Sequence, residues 1–335
     1  MKKIFLFALA LSFGYSVNAQ QDKHFSQFYA IPTYVNPANV GLITGNLRII
    51  SNFRNQWGSV SVPYRTITTS VDGKLPSSSD NFWGYGLSFY NDVAGDVKMK
   101  TNNYNLQGAY HIQSDKGKYL SMGFNLGLFQ RSVITSNLVW GSQWNNSLFD
   151  NTLPSNEVVQ QDAFTTFDMG AGMNYYSFND YGGKFNAGIS IAHFNSPNVT
   201  FLGASEKMKM RITGNIGAVI PLSDYRMTIE PNALFMMQGP NMLVNVGTAF
   251  KFVLQEPSKH LNFNDEISIS GGLYYRLQDA AYAAATFKYS GLQVGAAYDF
   301  NVSSLSPYSG YMGGMEFFIS YVMSFSDHGG GSDFR

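Results

Sequence analysis

Polar and apolar residues alternate along most of this chain. In the last segment Met315, Phe317, Ile319, Tyr321, Met323 and Phe325 alternate with Glu316, Phe318, Ser320, Val322 and Ser324. Leu120, Met122, Phe124, Leu126 and Leu128 likewise alternate with Ser121, Gly123, Asn125 and Gly127. A third run sets Tyr104, Leu106, Tyr110 and Ile112 against Asn103, Asn105, Gln107 and His111. A period of two is the signature of a strand with one apolar face, and from Asn46 onward a helical period is hard to find. The pattern predicts fourteen strands: 47–57, 64–75, 82–92, 98–112, 119–132, 165–178, 184–194, 208–221, 226–238, 241–252, 266–277, 280–289, 291–301 and 313–325. Most exceed the ~5–6 residues of ordinary strands and reach the ~9–11 that a tilted strand needs to cross a bilayer. The even number fits an all-β, antiparallel transmembrane barrel with both chain ends on the periplasmic side.

Parity along the strands assigns the charges. A lysine or arginine facing lipid at mid-bilayer costs ~2–4 kcal/mol. Counted along each strand, Arg48, Arg54, Asp168, Lys209, Arg211, Glu230, Lys251, Arg276, Lys288, Asp299 and Glu316 all face the interior. Both signs occur there, which predicts internal salt bridges. A soluble sandwich would not segregate so many charges from continuous apolar rows. The connections fit the same topology. Residues 76–81, 113–118, 179–183, 222–225 and 290 read as short periplasmic turns, and 134–164, 195–207 and 302–312 as longer outer loops. The connection 253–265 is long for a periplasmic turn, and those near Gly239-Pro240 and Asp279 are short for outer loops, so the rim is expected to be uneven.

The start of the chain breaks the pattern. Met1-Lys2-Lys3, a short apolar run over 4–13, and small residues ending at Ala19 read as a secretory signal peptide. Four regions follow: a signal peptide (1–19), an N-terminal periplasmic or lumenal segment (20–46), a barrel (47–325) and a short tail (326–335). The segment 20–46 contains Pro32 and Pro37, lacks alternation, and yet carries Phe25, Phe28, Tyr29, Ile31, Tyr34 and Val35. Too apolar for an exposed tail, it is expected to fold against the periplasmic mouth or into the lumen as a plug. The interior charges would then be contacts for it and not the lining of an open pore.

Composition narrows the function. Of the 335 residues only 13% are charged, where globular domains carry about 25%; 22 Lys and Arg balance 22 Asp and Glu. A net charge of zero argues against nucleic acid as a partner, and the absence of Cys rules out disulfides and thiolate metal sites. The mean hydropathy of −0.12 and the lack of long apolar runs exclude a helical membrane protein. No catalytic, cofactor or metal site is read from the sequence. The five His show no metal spacing. Ser190 and His193, three residues apart on one predicted strand, should lie on opposite faces, with His193 at the rim. Gly84-Tyr85-Gly86 and Gly170-Ala171-Gly172 lie inside strands, where Gly relieves crowding. The long outer loop holds Trp140, Trp144 and Phe149 among polar residues; these are either binding anchors or a cover over the barrel mouth.

Several blocks resemble one family. His24-Phe25-Ser26-Gln27-Phe28-Tyr29 and Tyr34-Val35-Asn36-Pro37-Ala38-Asn39-Val40-Gly41 are similar to the opening of the PorP/SprF family. Arg54-Asn55-Gln56-Trp57, Pro63-Tyr64-Arg65-Thr66, Asp92-Val93-Ala94-Gly95, Gly271-Gly272-Leu273-Tyr274-Tyr275-Arg276 and Gly313-Gly314-Met315-Glu316 continue the resemblance in order. Ala296-Ala297-Tyr298-Asp299 and the Gly-rich tail depart from its commoner forms. The resemblance implies a non-enzymatic outer-membrane protein of type IX secretion and gliding motility. It implies as partners the C-terminal domain of a large secreted adhesin, other secretion components including a peptidoglycan-linked periplasmic protein, and outer-membrane lipid. Expected contacts are Trp140, Trp144 and Phe149 outside, and Phe25, Phe28 and Tyr34 at the periplasmic side. The alternatives are a diffusion porin or solute-uptake channel, with Arg48, Arg54 and Glu316 among the residues setting selectivity, and, more remotely, a lipid-modifying barrel enzyme.

Overall fold

A computed structural model describes residues 22–325 except 59–61, 78, 96, 135–137, 151, 157–160, 202–204, 223–225, 256–265 and 305. The signal peptide and the tail expected at 1–19 and 326–335 lie outside the described residues. The fourteen strands are β1 (Leu47–Gln56), β2 (Tyr64–Lys74), β3 (Phe82–Ala94), β4 (Met99–Asp115), β5 (Lys118–Ser132), β6 (Ala163–Phe178), β7 (Lys184–Ala192), β8 (Arg211–Pro221), β9 (Met227–Gln238), β10 (Asn241–Gln255), β11 (Ile267–Arg276), β12 (Ala280–Tyr289), β13 (Leu292–Asn301) and β14 (Met312–Met323). Each pairs antiparallel with its sequence neighbours, and β1 pairs with β14, closing a barrel without edges.

The alternation decides which way each residue points. Leu87 lies opposite Leu106, which lies opposite Leu126, and all three are exposed on the outer surface. Phe167, Ile189, Leu273, Phe317 and Ile319 continue this apolar belt around the barrel. Residues one position away turn inward, where the register brings opposite charges together: Arg54 faces Glu316 across the closing seam, and Arg48 faces Asp72 across β1 and β2. A slip of one residue would put these charges into lipid, so burial fixes the register.

One end of the barrel has tight turns. Gly117, at φ +72°, closes the turn between β4 and β5, and Ser290, at φ 54°, that between β12 and β13. The other end carries the long connections 133–162 and 193–210. Its rim is uneven. Next to β4 with 17 residues and β5 with 15, strands β11 to β13 have only 10 each. There the hairpins β9–β10 and β11–β12 pair to their tips. The connection after β10 is shorter than expected, because the strand runs to Gln255 past a bulge at Val253.

Candidate functional site

The lumen is filled from within. Residues Asp22–Asn46 run through the barrel from the loop end to the turn end, as a chain of short turns without strand pairing: a 3₁₀ turn at Phe28–Ala30, one helical turn at Pro32–Val35 and a second 3₁₀ turn at Pro37–Asn39. Pro32 and Pro37 start the latter two, positions where a missing N–H does no harm. Backbone outside regular structure needs partners when buried, and the inward side chains of the barrel supply many of them.

At the loop end Asp22 is held by β8, β9 and the residue that follows β7. Its backbone N–H donates to Gln238 Oε1 (2.6 Å), and its carboxylate accepts from Arg211 (2.7 Å) and His193 Nε2 (2.7 Å). His193 Nδ1 is bonded in turn to Asp168 (2.7 Å). Burial opposes a charge on this imidazole, but Asp22 and Asp168 outweigh it and hold its pKa up to about 9. Burial likewise works against the Asp22 carboxylate, yet His193 and Arg211 keep its pKa well below the usual carboxylate range. His193 stabilises the folded state fully below its free value of 6.5 and loses that contribution as pH rises through about 9. Asp22 contributes above its free value of 3.8 and loses that contribution only in strong acid. Proteolysis at the loop end of the inner segment is therefore expected to be slowest near pH 4–6 and to accelerate between pH 7 and 9.5. His193→Gln should remove the alkaline part of that profile; an unchanged profile would refute the latch.

Lower in the lumen, Ser26 and Gln27 sit in a buried ionic network. The Glu316 carboxylate accepts from the backbone N–H of Ser26 (2.7 Å) and of Gln27 (2.9 Å), from Asn52 (2.9 Å) and from Arg54 (2.8 Å). Asp299 accepts from the Ser26 hydroxyl (2.7 Å), Arg54 (2.8 Å) and Arg276 (2.7 Å). Tyr282 donates its hydroxyl to the Ser26 carbonyl at 2.6 Å. Arg54, Arg276, Asp299 and Glu316 are at most 2% exposed. Charges buried so deeply persist only when paired and hydrogen-bonded, and here part of the bonding comes from the inner segment.

Towards the turn end, Asn36–Gly41 lies on a bed of glycines. Asn36 donates to the carbonyls of Met173 (2.9 Å) and Ile189 (3.3 Å), and its Oδ1 accepts from Ala38 N–H. His111 Nε2 donates to the Val40 carbonyl at 2.8 Å while its Nδ1 is bonded to Ser121, and Asp72 accepts from Gly41 N–H at 2.8 Å. A Cβ on Gly84 would collide with the Val40 carbonyl, one on Gly123 with the backbone of Pro37 and Ala38, and one on Gly172 with Asn36. The crowding these glycines relieve is thus that of the inner segment. Gly123→Val should cost about 1–3 kcal/mol by overpacking, read as a lower temperature for conversion of the compact barrel band to the unfolded band on gels. An unchanged temperature would show that the segment can lie elsewhere.

Arg48 pairs with Asp72 at 2.8 Å, and Glu230 lies inside near the turn end, accepting from Thr228. Lys251 and Lys288 flank Glu266 at 2.5 and 3.0 Å, also at the turn end. Lys209 does not face the lumen: β8 begins only at Arg211, and Lys209 is exposed in the preceding loop. Phe25, Phe28 and Tyr34 are not displayed at the periplasmic side. Phe25 packs with Ile31, Ile50, Tyr90 and Tyr34, and Phe28 with Val35, Leu234, Met236 and Leu243. Tyr34 bonds to Arg211 in the loop-end half. The cause is the direction of the inner segment, whose early residues lie beside the far, loop-end half of β1 and away from its start at Leu47. For the same reason the first described residue, Asp22, is at the opposite end of the barrel from Met323, and not at the end expected for both chain ends.

Ser190 and His193 both face inward. β7 stops at Ala192, and His193 adopts φ 58°, which swings its ring back into the lumen and leaves it 3% exposed. The two are engaged separately: Ser190 donates to the Val35 carbonyl at 2.8 Å, and His193 is clamped between Asp22 and Asp168. In the outer loop Trp144 and Phe149 face each other across a β-bridge, with ring centroids 5.1 Å apart, and both are exposed; Trp140 is half-buried. Sequence reasoning missed Asp22, Asp72, His111 and Tyr282. The inward parity of His111 was the available signal for one of them.

This geometry defines a closed outer-membrane β-barrel occupied by its own N-terminal segment. The family of type IX secretion system membrane proteins PorP/SprF matches residues 17–321, and the chain belongs to that family. No curated protein matches the chain. Among solved structures it is similar to the CymD monoaromatic hydrocarbon channel, at 10% identity over 91% of this chain and 95% of that one, with a TM-score of 0.51. It is also similar to the Pseudomonas putida (P. putida) toluene transporter TodX, at 10% identity over 88% and 93% with a TM-score of 0.44. A third is BamA from Haemophilus ducreyi lacking POTRA domains 1–3, at 12% identity over 83% and 70% with a TM-score of 0.41. At such identities only the barrel fold is shared. The loop end is accordingly the outer face and the turn end the periplasmic face.

Proposed function

We propose that this barrel is a non-catalytic docking component of type IX secretion that receives or anchors the C-terminal domain of a secreted surface adhesin. The observation that carries this reading is the buried inner segment in a barrel of this secretion family. A lumen whose charges are engaged with the protein's own backbone serves as a plugged platform better than as a channel. In this reading Trp144 and Phe149 are outer contacts, with Trp140 supporting them from the loop. The turn end, with Glu230, Lys251, Lys288 and Glu266, is the face open to other secretion components, including a peptidoglycan-linked periplasmic protein. A role in gliding motility would follow where the anchored adhesin drives it. Affinity purification of the barrel from outer membranes tests the proposal: a large secreted protein should co-purify, and deleting the barrel should strip that protein from the cell surface. An intact surface proteome in the deletion strain would overturn it. A diffusion channel would instead give a large steady current from the intact protein in planar bilayers.

A further inference from the structure

Beside the inner segment, in the loop-end half of the lumen, the wall from β2 to β8 stands away and leaves a cavity of about 90 Å³. Its carboxylates are engaged. Asp168 accepts from His193 and from Asn103 Nδ2 (3.3 Å), Asp92 from the Thr66 hydroxyl (2.7 Å) with Lys23 at 3.6 Å, and Asp22 from Arg211. One cation is not. Arg131 takes part in no ion pair among the described residues. Its guanidinium lies 5.2 Å from the centre of the buried Phe129 ring, and its Nε is buried without a hydrogen-bond partner. Two amide oxygens in the same cavity, Asn103 Oδ1 and Gln107 Oε1, are also buried without a donor. The Gln107 amide nitrogen is fixed on the Thr33 carbonyl at 3.1 Å and the Asn103 nitrogen on Asp168. Both side chains are thereby oriented as acceptors.

A cation held over an aromatic ring, with the Asn103 acceptor two residues along the neighbouring strand from its cross-strand partner Thr101, complements a carboxylate that carries an N–H donor close by. The size sets the class. Pockets for whole small molecules run to roughly 300–1,000 Å³, and this cavity holds a side chain. We propose that it is an acceptor site for a single aspartyl or glutamyl side chain of a polypeptide reaching the barrel from outside, with Arg131 as the recognising cation. The backbone amide of the incoming residue meets Asn103. The inference rests on the reading of the barrel as a receptor for a secreted polypeptide and adds to it a place and a chemistry.

The test uses the full chain in detergent, titrated with N-acetyl-aspartyl-glycinamide and its asparaginyl counterpart by calorimetry or ligand-observed NMR. The aspartyl probe should bind at least about tenfold more tightly than the asparaginyl one, an ordinary effect for one desolvated charge pair. Arg131→Gln should erase that preference and Arg131→Lys retain part of it, with compact-band migration on gels confirming that each variant is folded. In the wild-type protein the preference should shrink at high salt, which gives a reading independent of any variant. Equal binding of the two probes, a preference that survives Arg131→Gln, or displacement by succinate as effective as by the peptide would overturn the proposal. These titrations are separate from the surface proteome of the deletion strain. A client lost from the surface with no aspartyl preference sinks this site and leaves the secretion reading standing; the reverse result does the opposite.

Discussion

Replacing Glu316 with alanine is expected to cost about 3–5 kcal/mol, the range found when one partner of a buried charge pair is removed. The reason is how much depends on this one carboxylate. It accepts from Arg54 across the closing seam and from the backbone N–H groups of Ser26 and Gln27 in the inner segment. Without it, Arg54 keeps, among the described residues, only Asp299 as an anionic partner, and that carboxylate is already shared with Arg276. The two N–H groups lose their acceptor in a site closed to bulk solvent, and each orphaned buried group adds roughly 1–3 kcal/mol. Heat-modifiable migration reads the result: the compact band of Glu316→Ala should convert at a clearly lower temperature than the wild type. Glu316→Gln keeps the shape and an acceptor oxygen, and should lie between the two. A wild-type transition in Glu316→Ala would mean that the network does not hold the seam.

Deleting residues 20–45 should turn a closed barrel into a conducting one. The segment occupies the lumen from Asp22 at the outer face to Gly41 near the periplasmic turns, and Val40, Ala38, Asn36, Gln27 and Ser26 are fully or almost fully buried. Its loss would leave Arg48, Arg54, Asp168, Arg211, Arg276, Asp299 and Glu316 facing a water-filled channel. Planar-bilayer recordings should show large steady steps for the deletion and little current for the intact chain. No increase on deletion would show that something other than this segment closes the lumen.

The strands were legible because lipid leaves the sequence little freedom. Alternation must hold for the full height of the barrel, and a misplaced charge costs several kcal/mol, so the rows through Leu120–Leu128 and Met315–Phe325 mark both register and face. Local chemistry at strand ends was harder to read. β4 extends to Asp115 through a bulge after Gln113, and a bulge breaks the parity that revealed the rest. The left-handed turn at His193 did the same on a smaller scale, bringing Ser190 and His193 to one side although their spacing predicted two. The excess of rings in residues 20–46 showed that this segment is buried, but not its path. That path is set by partners as far as 290 residues away, such as Asp72 for Gly41 and Glu316 for Ser26, and no local pattern encodes it.

The position of Ser26 and Gln27 has a consequence for biogenesis. They bind Arg54 on the first strand and Glu316 on the last, which are the two strands that must find each other when the barrel closes. A nascent barrel that closed empty would bring those side chains together without the N–H groups and hydroxyl that complete their solvation. The inner segment thus completes, from inside the lumen, the hydrogen bonding of the seam that closes the barrel.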